Sequence, residues 1–288
     1  MLTRAVLALV GWMGYLPLFV LRALGTALGL LLYVLVASRR RVVTTNLHLC
    51  FPHWSAGKVR VQTLRVFIHF TQSWLDRGWL WYGPVRYISK RLKITGAIEE
   101  LDGSAPTVIF LPHFVGLDAV GMALTQQTAR RYTTIYTNQA NLISDAWILQ
   151  GRKRFGSMRL FGRVDGVKPI VEALRKGEPL ILLPDMSFGT EDSLFVPFYG
   201  VPTATVPSLS RFAKLGRAKV VPILSRMTSY GYEIQILPAW SDFPSGDLMA
   251  DTALMNARLE GYIDTMPSQY YWVHKRFKDR PNGEAPPY

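Results

Sequence analysis

His113 and Asp118, in His-Phe-Val-Gly-Leu-Asp, are residue types that can move a proton. A carboxylate bonded to one imidazole nitrogen fixes the ring's tautomer and supports the imidazolium that forms when the other nitrogen takes a proton. Such a pair makes a hydroxyl nucleophilic. Gly116 lies between the two residues and permits the tight turn that would bring them together. His-x4-Asp is nevertheless a short pattern. On spacing alone, a capping Asp beside an incidental strand-end His is the commoner reading. No serine or cysteine nucleophile elbow accompanies the pair. His48, His53 and His69 lack metal-ligand spacing, and no Gly-rich dinucleotide or phosphate loop is present. Neither a metal nor a bound cofactor is expected.

The elements that must position this pair alternate. Thr107 to Leu111 reads as a short buried strand, which places His113 just past a strand's carboxyl end, where open α/β sheets gather ligands. Leu117–Ala129, Leu142–Phe155, Val167–Lys176, Thr205–Leu215 and Leu248–Thr265 read as helices, two of them stopped by Gly177 and Gly216. Tyr132–Thr137, Leu180–Leu183, Lys219–Leu224 and Tyr232–Leu237 have strand composition, and the second of these runs directly into Pro184-Asp185. The rhythm predicts an α/β domain with a mostly parallel or mixed central sheet flanked by helices. Arg280 to Tyr288 is polar and proline-rich and reads as a loosely held tail.

Upstream the chain changes character. Ala5 to Ala37 is almost wholly apolar, with Arg22 its one charge, and a bilayer-spanning helix needs roughly 20 apolar residues. Residues 1–38 are expected to anchor the chain in a membrane, as one tilted helix, as a short hairpin bent near Gly25, or as a helix lying in the interface. The run exceeds the apolar core of a signal peptide. Arg39-Arg40-Arg41 follows it directly, which favours a cytoplasmic position for residues 39–288. No Asp or Glu precedes Asp76, so the first quarter of the chain is purely cationic and suits anionic lipid headgroups. Nucleic-acid binding would use basic patches too, but no zinc-finger, RRM or helix-turn-helix pattern is present. Only 18% of the 288 residues are charged, against about a quarter in ordinary soluble domains, as expected if part of the chain sits in lipid. Val42 to Lys90 reads as amphipathic helix. Trp74, Trp79 and Trp81 near its end suit either a lipid boundary or a core. Cys50, the one cysteine, forms no internal disulfide and reads as a small buried hydrophobe.

Several blocks, taken together, carry a resemblance. They are Arg39-Arg40 with Asn46-Leu47 and Cys50-Phe51-Pro52; His113 through Asp118; and Gly151-Arg152 with Arg154-Phe155-Gly156. Further on come Pro184-Asp185-Met186-Ser187-Phe188-Gly189, Asp192, Val196 to Gly200, Thr203 to Thr205, Val221-Pro222, Pro267 to Tyr270, and Trp272 to Lys278 with Arg280-Pro281. These resemble the bacterial lipid A secondary acyltransferases, of lauroyl or myristoyl type, within the His-x4-Asp/Glu lysophospholipid acyltransferase superfamily.

The resemblance implies an inner-membrane enzyme that moves an acyl chain from acyl carrier protein to a hydroxyl of a lipid A precursor. It implies His113 as general base with Asp118 as its partner. It also implies Arg152, Arg154, Arg159, Asp185, Gly189 and Asp192 on the substrate side, with the backbone near Gly116 receiving the oxyanion. His274 would then touch a phosphate or the acidic carrier protein, or else belong to a solvated basic face. Two positions depart from the pattern: Asp118 where lipid A enzymes often have Glu, and Phe188 where a Tyr is frequent. A lysophospholipid, an ornithine lipid or a glycosylated phosphoinositide is therefore the alternative acceptor. A non-catalytic lipid-binding membrane protein is the alternative of another class.

Overall fold

The computed structural model describes residues 2–156 and 158–288. The apolar N-terminal stretch forms α1 (Leu2–Met13) and α2 (Leu18–Leu35), and the chain turns between them at residues 14–17. The bend expected near Gly25 is not there. Gly25 lies inside α2 and packs on Gln72. Pro17 sets the break, because proline is accepted at a helix start and not in its interior. Next come α3 (Ala37–Cys50) and α4 (Ala56–Tyr82), the latter capped by the Ser55 side chain, which accepts from the Lys58 amide. Then α5 (Val85–Arg91) runs into β1 (Leu92–Gly96).

The remaining elements alternate as the composition predicts. They are β2 (Thr107–Phe110), α6 (Leu117–Gln127), β3 (Tyr132–Tyr136), α7 (Leu142–Arg152), β4 (Met158–Gly162), α8 (Val167–Arg175) and β5 (Leu180–Leu182). A hairpin of β6 (Leu194–Phe198) and β7 (Val201–Thr205) precedes α9 (Ser208–Gly216), β8 (Lys219–Thr228), β9 (Gly231–Ile236) and α10 (Leu248–Asp264). Seven strands make one sheet in the order β1-β9-β8-β2-β5-β3-β4. Every pairing in it is parallel except β8 with β9. The expected mixed, mostly parallel α/β sheet is the architecture found. Strands β1 and β4 and the β6–β7 hairpin go beyond what the composition signalled: LKITG and MRLFG mix polar with apolar residues, and Pro197 and Pro202 mask the hairpin.

Helices cover both faces of the sheet, and alternate strand residues feed two apolar clusters. Val108 and Phe110 enter one with α8, α9 and α10; Ile109 and Leu111 enter the other with α4, α6 and α7. Trp79 and Trp81 are buried in this second cluster, which settles them as core. Cys50 is buried and unpaired, and burial pushes its thiol pKa up. The C-terminal tail is held rather than loose. The Tyr288 hydroxyl donates to the Asn46 side chain and accepts from the Phe277 amide.

Helices α1 and α2 dock on α4 at close range. A Cβ on Gly14 would lie 2.3 Å from the Gly78 carbonyl carbon, so this crossing tolerates only glycine. Arg22, the one charge of the apolar run, reaches Asp76 at 2.9 Å. Asp76 is fully buried and also accepts from Trp79 Nε1 at 2.9 Å and from the Tyr232 hydroxyl at 2.6 Å. Burial pushes its carboxyl pKa up, and Arg22 with the two hydrogen bonds opposes that. The outer faces of the pair expose Leu9, Trp12, Phe19, Val34 and Leu35. Among the described residues α2 is the one helix long and apolar enough to cross a bilayer.

Removing one member of a buried ion pair strands the other charge, at a cost of about 3–5 kcal/mol. Asp76→Ala should therefore lower the melting temperature of the detergent-purified protein sharply. The double variant Arg22→Met/Asp76→Leu, which strands no charge, should recover most of the loss.

Candidate active site

Two adjacent parallel strands bring the chemistry together. Phe110 of β2 pairs with Leu182 of β5. Counting three residues past each puts His113 level with Asp185. His113 Nδ1 lies 2.7 Å from Asp185 Oδ1, and the His113 amide donates to Oδ2 at 2.8 Å. The Tyr270 hydroxyl donates to that same oxygen at 3.0 Å. Asp185 and Tyr270 are buried. Burial alone would raise the Asp185 carboxyl, but the charge and hydrogen bonds of His113 outweigh it and leave the pKa below its ordinary value. Main-chain bonds hold the loop in place: the Tyr271 amide donates to the His113 carbonyl at 2.9 Å and the Val115 amide to the Gln269 carbonyl at 2.8 Å. The His113 side chain keeps 21% of its surface exposed. Among the described residues nothing bonds its Nε2.

Asp118 is not the imidazole's partner, which corrects the expectation from sequence. It accepts from Arg77 Nε at 2.8 Å and from Arg152 Nε at 3.0 Å. Burial would raise its carboxyl, and the two guanidiniums outweigh that and bring the pKa to about 2. The reason is geometric. Gly116 turns the chain at φ +87°, and a Cβ there would lie 2.5 Å from the Tyr232 ring. Helix α6 starts directly after this turn, and α4 and α7 both pack on it. Arg77 and Arg152 reach Asp118 from those two helices, while β5 delivers Asp185 to the ring.

The other expected site residues divide. Gly116, Arg152 and Asp192 line a cavity together with His113. Arg154 does not. Its two terminal nitrogens donate to the carbonyls of Leu80 and Gly83, fastening the end of α4. Arg159 pairs with Glu178 at 3.3 Å. It sits beside Thr133, which pairs with Leu180 at the amino end of β5, so it lies at the opposite end of the sheet from His113. Gly189, at φ +103°, shapes the loop after Asp185, and its carbonyl accepts from the Ser193 hydroxyl. Phe188 on that loop is exposed at the cavity's lining. His274 belongs to no solvated face. It is half-buried and accepts from the Ser187 amide at 3.2 Å, and burial beside Arg276 and His113 lowers its pKa to about 4. Arg77 and Tyr270 escaped the sequence reading as site residues. Tyr270 had a signal, its place in a motif block; Arg77 was one cation among many.

The cavity measures about 1150 Å³, beyond the roughly 300–1,000 Å³ of an ordinary ligand pocket. Trp74, Met122, Trp147, Met158, Ile181 and Phe212 give it an oily wall, while His113, Arg77 and Arg152 supply polar groups. The arrangement is an oriented imidazole on the lining of a large cavity with a mostly apolar wall. It can take a proton from a hydroxyl held there. The remaining motif blocks form its frame. Asn46 donates to the carbonyls of Trp272 and His274, each at 2.8 Å. Arg276, fully buried, donates to Ala204 O at 2.7 Å and to the Thr205 hydroxyl at 2.8 Å.

Comparison with known proteins identifies relatives of one kind. A lipid A biosynthesis acyltransferase of Haemophilus influenzae is 33% identical over 254 residues, which are 85% of this chain and 78% of that protein. The lipid A biosynthesis myristoyltransferase of Escherichia coli is 33% identical over 257 residues, covering 88% and 79%. The lauroyltransferase of the same organism is 30% identical over 274 residues, covering 93% and 88%. The sequence model of one family, described as bacterial lipid A biosynthesis acyltransferase, matches residues 1–279. With its motif blocks assembled around one imidazole, the chain belongs to the bacterial lipid A biosynthesis acyltransferase family.

Proposed function

We propose that this protein transfers a fatty-acyl chain from acyl carrier protein to a hydroxyl of a lipid A precursor, at the cytoplasmic face of the bacterial inner membrane. The observation that carries the reading is the bond between His113 Nδ1 and Asp185, which leaves Nε2 unbonded among the described residues on a ring that lines a large, largely apolar cavity. The acceptor hydroxyl attacks the thioester carbonyl while His113 Nε2 takes its proton. Asp185 keeps the proton on Nδ1 and supports the imidazolium. Tyr270 keeps Asp185 in place. Collapse of the tetrahedral intermediate breaks the carbon–sulfur bond, and the imidazolium returns the proton to the leaving thiolate. The start of α6 at Gly116 lines the cavity beside His113, and its first-turn amides are the candidates for receiving the oxyanion.

Residues 1–38 serve as the anchor. The exposed apolar faces of α1 and α2 support this, and Arg39 to Arg41 follow at the boundary, as orientation by cytoplasmic cations requires. The departures from the usual lipid A pattern bear on the acceptor. Asp118 reaches guanidiniums here and not the imidazole. Its being one methylene shorter than Glu therefore leaves the proton transfer untouched.

Purified protein in detergent, given acyl carrier protein thioesters of several chain lengths and a lipid A precursor, should add one acyl chain by mass spectrometry. A lysophospholipid acceptor should stay unmodified; acylation of it in preference would move the reading to the alternative acceptor. His113→Ala should lower kcat by about 10²–10⁴-fold while the protein still folds and reaches the membrane. Asp185→Asn should lower it by up to about 10⁴-fold, because an amide no longer fixes the reactive tautomer. Near-normal turnover in His113→Ala would refute the mechanism.

A further inference from the structure

The triad of Arg77, Asp118 and Arg152 has more charge than it can use internally. One carboxylate stands between two guanidiniums, so the group carries a net positive charge. Both arginines engage Asp118 through Nε alone. Their terminal nitrogens, four in all since each guanidinium has two, make no hydrogen bond among the described residues. Both side chains line the same cavity as His113. Aromatic rings back them: the Arg77 guanidinium lies 5.4 Å from the Trp81 centroid and that of Arg152 lies 5.5 Å from Tyr136. The other acids of the lining, Glu191 and Asp192, form no ion pair with either arginine among the described residues. A half-buried excess cation beside an apolar wall calls for an anion.

We propose that Arg77 and Arg152, held apart and oriented by Asp118, form a binding site for a phosphoryl group of the substrate, within reach of the cavity that His113 serves. The planar fork of a guanidinium matches two phosphate oxygens. Two forks fixed on one carboxylate lose little freedom when the anion arrives. Asp118 is then a positioning residue that acts through the arginines. The site rests on the acyl-transfer reading for its substrates, and two of them carry the required chemistry: the phosphopantetheine arm of the donor and the phosphorylated sugar of the acceptor.

Steady-state assays that vary one substrate at a time separate these sources. The donor is offered as acyl carrier protein thioester or as acyl-N-acetylcysteamine, which lacks the phosphate. The acceptor is offered as the phosphorylated precursor or after phosphatase treatment. Arg77→Ala should raise KM about ten- to a hundredfold for one phosphate-bearing substrate, the effect of a lost charge-assisted hydrogen bond. That penalty should vanish for the same substrate without phosphate, and the substrate showing this identifies the source. Arg77→Lys should recover part of the loss. Asp118→Asn should raise the same KM without moving the acidic limb of the kcat–pH profile, whereas an imidazole partner would move it. An equal loss on phosphate-bearing and phosphate-free versions of both substrates overturns the site.

A direct measurement covers variants that fold poorly and stands apart from the acyl-transfer reading. Inorganic phosphate should raise the melting temperature of the wild-type protein, and Arg77→Lys should blunt the rise. No rise in wild type rejects the site even if turnover with a lipid A precursor is normal. A rise without such turnover keeps the site and rejects the acceptor.

Discussion

The buried carboxylate of Asp185 is the constraint around which the rest is arranged. A charge with no solvent contact must be answered by hydrogen bonds or become prohibitively costly. Asp185 is answered by the His113 amide, the His113 ring and the Tyr270 hydroxyl. They come from two separate requirements of the fold. The amide and ring come from the register of β2 against β5. The hydroxyl comes from the segment after α10, which is itself stitched to the His113 loop through Gln269 and Tyr271. Orientation of the imidazole is thus a product of sheet topology and of the C-terminal segment together. That is why motif blocks so distant in sequence frame one small site.

Much of this was legible in the sequence, and what was not has a physical cause. The strand-end positions of His113 and Asp185 could be read separately, because TVIF and LIL are short, wholly buried runs closed by proline. Their adjacency could not, since strand order is set by how the whole sheet packs. Sequence proximity therefore favoured Asp118 as the partner of His113, and the left-handed turn at Gly116 with the helix after it decided otherwise. Arg154 and Arg159 show the same limit. Their type suited an anion, but one faces the end of α4 and the other lies at the opposite end of the sheet from His113. A basic residue's neighbours depend on helix rotation and strand direction, which spacing does not fix. Arg77 was masked by a crowd of like charges.

The N-terminal helices are more closely joined to the body than an anchor has to be. Gly14 against Gly78 brings backbones into contact, and Arg22 enters a polar cluster with Asp76, Trp79 and Tyr232. Tyr232 in turn packs under Gly116, the turn that separates His113 from α6. The path from the apolar segment to the His113 loop runs through three side chains. Deleting residues 1–38 would therefore open the core beneath the His113 loop.

The bond from Tyr270 to Asp185 also has a meaning in time. Asp185 emerges during synthesis long before residue 270 exists, so its third hydrogen bond is missing while the nascent chain grows. Asn46, far earlier in the chain, likewise waits for the Trp272 and His274 carbonyls and for Tyr288. His113 and Asp185 can meet once β5 has been made, but the third bond of Asp185 forms only after Tyr270 has emerged. A chain that stopped short of Tyr270 would carry His113 and Asp185 without the hydroxyl that keeps Asp185 in place.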